Sequence, residues 1–168
     1  MAEALAMISA SDREWILDWV AMCVEMFNAA GRIDGAALVI GSEGRTLIPM
    51  LVNSEAGMDR VAQMIRYEAV RMRAELVVTV HEAWVATFPS AASAQPWIGK
   101  PVKDMPGASH AVHFTAETLA AACHGAAPIE RHAGSARLGE IKWHPATQAA
   151  GRFANLIPRT TTTREGVN

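Results

Sequence analysis

The segment Leu76–Phe88, reading Leu-Val-Val-Thr-Val-His-Glu-Ala-Trp-Val-Ala-Thr-Phe, restricts the fold more than any other. β-Branched and aromatic residues occupy both of its alternating faces, as expected of a strand covered on both sides. Such a strand needs partners in hydrogen-bonding reach and apolar layers above and below it. Upstream, Ala36–Ile40 and Thr46–Val52 flank Gly41-Ser42-Glu43-Gly44 and predict a β-hairpin with a short turn. Pro49 has no amide to donate, so the second hairpin strand should be an edge or bulged. Met58, Val61, Ile65, Ala69 and Met72 fall on one helical face, with Arg60, Arg66, Tyr67, Arg71 and Arg73 largely outside it. A crossover through that helix predicts Leu76–Phe88 parallel to Thr46–Val52 and antiparallel to Ala36–Ile40.

Downstream, the loop Pro89–Gly107 carries Trp97 between Pro96 and Pro101. Ser109–Ala116 reads as a strand, and Glu117–His124, alanine-rich and closed by Gly125, reads as a helix. Arg137–His144 reads as a last strand. The expected fold class is α+β: a mixed, mainly antiparallel sheet of about five strands. Residues 1–158 should form one domain, and 159–168, with its run of threonines, a disordered tail.

The N-terminal helix sets a second constraint. Ser11 and Glu14 have capping-box spacing, and Gly31 marks the end after Ala30. Trp15, Trp19, Met22, Met26 and Ala30 form one apolar stripe, and Ile16, Val20, Cys23 and Phe27 form another beside it. An arc that wide exceeds what one sheet face covers. The helix is expected between two layers or at a subunit interface, which makes a homo-oligomer, most simply a two-fold dimer, the expected assembly. Trp15, Trp19 and Trp97 are the candidate binding residues, for a second copy or another protein partner.

Composition narrows the classes further. The chain has 168 residues, a formal net charge of −2 and two cysteines. Nucleic acid is not indicated by that charge, and two cysteines make no disulfide framework. Glu3 without a basic n-region makes a poor signal peptide, and Asp18 and Glu25 interrupt the most apolar stretch. The expected setting is cytoplasmic, away from membranes.

Candidate chemistry centres on Glu82, with His81 beside it. Alternation places Glu82 on an apolar face with Val78, Val80, Trp84 and Phe88. An ionised carboxylate there requires a partner, such as Arg66, Arg73 or a histidine, or a raised pKa. His81-Glu82 lacks the second histidine of a zincin, so no metal or other cofactor is expected. His110 and His113 should face opposite ways, although with His124, His132 and His144 they come from segments that could converge. Glu140-Ile141-Lys142 fits the end of a nuclease metal motif, but the preceding strand supplies no acid. Cys123 and His124, being adjacent, do not make a dyad.

The hairpin Ala36–Val52, the strand Val80-His81-Glu82-Ala83-Trp84 and the segment Gly151-Arg152-Phe153-Ala154-Asn155-Leu156, taken in order, resemble a loose group of small uncharacterised bacterial and phage proteins with a Glu-Ala-Trp central-strand signature. The likeness spans residues 33–158 and implies no activity. The expected function is therefore a non-catalytic binding or accessory module acting as an oligomer. The alternative is a small metal-dependent hydrolase or nuclease using Glu82 with histidine ligands.

Overall fold

The computed structural model describes residues 5–51, 54–86, 88–145 and 153–157. The expected tail at 159–168, and Gly151 and Arg152 of the C-terminal motif, lie outside the described residues.

Both long helices start where a serine satisfies open amides. Helix α1 (Ala10–Ala30) is capped by Ser9, whose hydroxyl accepts from the Asp12 amide at 3.1 Å and donates to the Asp12 carboxylate at 2.7 Å. The cap thus lies two residues before the expected Ser11. Leu5 and Ile8 are buried, and the Arg13 guanidinium donates to the Ile8 carbonyl, so the chain enters the helix from an anchored upstream turn. Gly31 ends α1 as expected, in the left-handed conformation at φ 71°, with its amide on the Phe27 carbonyl. Helix α2 (Glu55–Arg71) is capped by Ser54, which accepts from the Gly57 amide at 3.1 Å.

Seven strands form one sheet: β1 (Ala36–Gly41), β2 (Gly44–Pro49), β3 (Ala74–Val85), β4 (Ser109–Thr118), β5 (Ala122–His132), β6 (Ser135–Leu138) and β7 (Lys142–Pro145). Their order is β2-β1-β3-β4-β5-β6, with β7 also on β5. Every pairing is antiparallel, so β2 and β3 run in the same direction without touching. The fold is α+β, β2 is an edge, and β3 is central, its residues Leu76–Val80 buried on both faces. A four-residue helix α3 (Ala91–Ala94) and two 3-10 turns occupy the loop before β4.

Two expectations fail in the C-terminal half. Glu117–His124 is no helix: β4 and β5 meet there in a hairpin, with the Thr118 amide and the Ala121 carbonyl closing the turn at 2.8 Å. The alanines' helix propensity is overridden by pairing of β5 with Ala111–Glu117 of β4. The expected strand Arg137–His144 is two strands, β6 and β7, which pair with different halves of β5. Pro128, with no amide, lies at the change of partner, and its carbonyl accepts from the Gly139 amide at 2.9 Å.

Each face of the sheet has its own core. On one, Ile16, Val20, Cys23 and Phe27 of α1 pack on Leu76, Val78, Val80, Val112, Phe114 and Trp143. On the other, Val61, Ile65 and Ala69 of α2 pack on Ala37, Val39 and Val77, with Leu156 and Ile157 beside them. Each fully buried Phe, Leu, Ile or Val contributes about 1.5–3 kcal/mol by leaving water. The second stripe of α1 stays outside: Trp15, Met22 and Met26 are 42%, 43% and 55% exposed, and Trp19 is half-buried. No described helix is long and apolar enough to cross a membrane.

Candidate functional site: an open groove floored by histidines

The α2 layer covers β1, β2 and β3. The C-terminal segment 153–157 extends that cover only to the near side of β4. It is held by the Glu117 carboxylate, which accepts from the Leu156 and Ile157 amides at 2.9 and 3.2 Å, and by Arg66, which donates to the Ala154 carbonyl at 3.0 Å. Over β4, β5 and β7 the same face forms a half-open groove of about 640 Å³.

Strand register assembles its floor from His113, Ala126, Lys142, His124 and His144, and sets His81, Thr79 and Thr115 beside it. His81 lies opposite His113, His113 opposite Ala126, and Ala126 opposite Lys142. In the next row Thr79, Thr115, His124 and His144 are successive partners. The histidines of the two rows form a continuous chain of rings. Centroid separations are 5.4 Å for His81–His113, 5.9 Å for His113–His124 and 5.5 Å for His124–His144. Phe153 meets His81 at 5.1 Å, and the Thr79 and Thr115 hydroxyls bond at 2.6 Å beneath the row. Val85, Phe88, Ala111 and Pro128 supply apolar walls.

Burial, reinforced by His81 and His124, pushes His113 down to about 4. Burial and then His144 lower His124 as well. Both rings are therefore neutral at neutral pH, each offering one N–H donor and one acceptor nitrogen. Lys142 is the one ionic side chain lining the groove among the described residues, and no carboxylate lines it.

Glu82 lies on the opposite face with Val78 and Val80, whereas Phe88, expected beside them, follows the end of β3 at Val85, where alternation no longer applies, and lines the groove. It accepts from the Ile33 amide at 3.1 Å and stands 3.3 Å from His110 Nε2, while the His110 ring stacks on Trp84. Glu82 has a basic partner, as its apolar strand face requires, and the partner is His110. Arg66 is turned to the C-terminal segment, and Arg73 lies 3.8 Å from Glu43. Because His81 and Glu82 are neighbours on one strand, no single centre combines Glu82 with the histidine row. Among the described residues no three His, Cys, Asp or Glu side chains are placed to hold a metal ion. Cys23 and Cys123 belong to the α1 core, where burial pushes their thiols up to about 12 and about 11. A protonated, enclosed thiol is a poor nucleophile.

The three tryptophans lie outside the groove. Arg45 from β2 sits 5.5 Å over the Trp15 ring, Trp19 edges the α1 core, and Trp97 stands in a 3-10 turn with Lys100 at 4.6 Å from its ring. The histidine row is the grouping that sequence spacing does not reveal. Its signal is parity: His113 alternates with Val112 and Phe114, so it must leave the α1 face.

No family model matches this chain, and no curated protein or solved structure matches it.

Proposed function

We propose that this chain is a non-catalytic binding module whose groove over β4, β5 and β7 receives a small, flat, apolar ligand. The groove itself carries the reading: about 640 Å³ of half-open space, with apolar walls and a floor in which His113 and His124 are neutral imidazoles. Small-molecule sites typically occupy about 300–1,000 Å³ and combine such walls with a few polar groups. A row of rings offers faces on which a planar ligand can stack. The absence of an exposed thiol, and the separation of Glu82 from the histidines, favour binding over catalysis. Two buried free cysteines fit a reducing, cytoplasmic setting. The outer stripe of α1, with Trp15, Met22 and Met26 exposed, fits a two-fold contact with a second copy, since aromatic and Met residues are enriched in interface cores.

Titration calorimetry with 2-naphthamide tests the groove. The wild type should bind it, and Ala126→Trp, which fills the floor between His113 and Lys142, should not. Unchanged binding in that variant, or a wild type that binds neither this probe nor its carboxylate analogue 2-naphthoate, would overturn the reading. Light scattering tests the assembly: a dimer mass for the wild type and a monomer mass for Met22→Lys are expected. A monomeric wild type would remove the dimer.

A further inference from the structure

Resting on the groove as a ligand site, we propose that its ligand class is a planar apolar monoanion of the aryl-carboxylate type, with the acidic group seated between Lys142 and the histidine row. Charge distribution gives the first argument. Eleven residues line the groove, and none is Asp or Glu. Lys142 is exposed, and among the described residues no carboxylate lies within ion-pair distance of it. A cationic ligand would meet an ammonium and no counter-charge. An anion would meet a full positive charge and N–H donors.

Register gives the second argument. Ala126 lies between His113 on β4 and Lys142 on β7, with His124 and His144 in the adjacent row. A methyl side chain between an imidazole and an ammonium leaves a recess with donors on both sides. Moving a carboxylate out of water is unfavourable unless hydrogen bonds and an opposite charge replace the lost hydration. The neutral rings of His113 and His124 supply the hydrogen bonds without mutual repulsion, and Lys142 supplies the charge. The apolar body is accounted for separately. Val85 on β3 and Ala111 on β4 line the groove across β5 from Lys142 on β7, so the polar and apolar ends of a ligand would have distinct places. The recess recognises the acid, and the walls recognise the ring.

The experiment compares 2-naphthoate with its neutral isostere 2-naphthamide by calorimetry near neutral pH. Wild-type protein, Lys142→Met and Ala126→Trp are the samples, and circular dichroism checks that each is folded. In the wild type, naphthoate should bind at least about tenfold more tightly than naphthamide, the range of a single charge-assisted hydrogen bond. In Lys142→Met the two affinities should become equal, naphthoate losing more than naphthamide. Ala126→Trp should bind neither. Equal affinities in the wild type, or a carboxylate preference that survives Lys142→Met, would overturn the anion assignment and leave the groove reading standing. Failure of both probes to bind the wild type would overturn both. Zinc ion binding one per chain and lost in His124→Ala would instead make the row a cation site and refute the proposal.

Discussion

Acidification should destabilise this protein through His113 in a calculable way. An ordinary histidine titrates near 6.5, and burial beside His81 and His124 brings His113 to about 4. Above 6.5 the ring is neutral whether the chain is folded or not, and its full contribution is present. Between 6.5 and about 4 the unfolded chain takes up a proton that the folded chain refuses, so stability falls with pH; below about 4 both states are protonated and the loss levels off. At 1.36 kcal/mol per pH unit the total loss is about 3 kcal/mol, of which about 2.5 kcal/mol has accumulated by about pH 4.5. Urea unfolding at about pH 7.5 and about pH 4.5 measures it, with His113→Leu as the reference. Leucine fills a similar space and cannot titrate, while His81, His124, His144 and Lys142 remain in both proteins and largely cancel. The wild type should lose about 2.5 kcal/mol more than the variant over that interval. Equal losses would mean that the ring is solvated, and the description of the groove floor would be wrong.

Glu117→Gln should destabilise the fold by about 1–3 kcal/mol, because an amide has one acceptor oxygen for the two backbone donors that the carboxylate satisfies. Hydrogen exchange at the Leu156 and Ile157 amides should speed up first; unchanged exchange would show that the segment is held by other contacts. Glu82→Gln should lower stability by no more than about 1 kcal/mol in urea unfolding, since the Glu82 side chain is 24% exposed and its pair with His110 is partly hydrated. A loss of several kcal/mol would instead reveal a dry pair and refute the hydrated description. Gly41→Ala should cost about 1–3 kcal/mol by thermal melting, because a methyl there is driven against the Met72 and Arg73 carbonyl oxygens. An unchanged melting temperature would contradict that packing.

The N-terminal half was legible because its signals are local. A glycine-bounded turn closes β1 onto β2, Val61, Ile65 and Ala69 repeat at helical spacing, and β3 is too rich in β-branched residues to be anything but a covered strand. In β5 the residues toward α1 are Cys123, Gly125 and Ala127, and those toward the groove are Ala122, His124 and Ala126. Small side chains on both faces give alternation no contrast, so the segment's alanine content imitates a helix. Long-range partners decide it: β4 pairs along it, and the Trp143 indole fills the space that Gly125 leaves, within 3.0 Å of where a Cβ would stand. Glu82 was readable as an acid in need of a partner, because desolvation demands one. That His110 supplies it depends on strand pairing, as does the whole histidine row, whose members stand on four separate strands.

Helix α1 is fastened at both margins of the sheet. Near its start Trp15 lies under Arg45 of the edge strand β2, and near its end the Asn28 side-chain oxygen accepts from the Leu138 amide of β6 at 3.1 Å. Edge strands ordinarily fray one at a time, each with its own small opening free energy. Here a single rigid rod is tied to both, so lifting the rod from either end weakens the tether at the other. The two strands at opposite ends of the sheet order are thereby joined in one cooperative opening unit, and their slowest amides should exchange together.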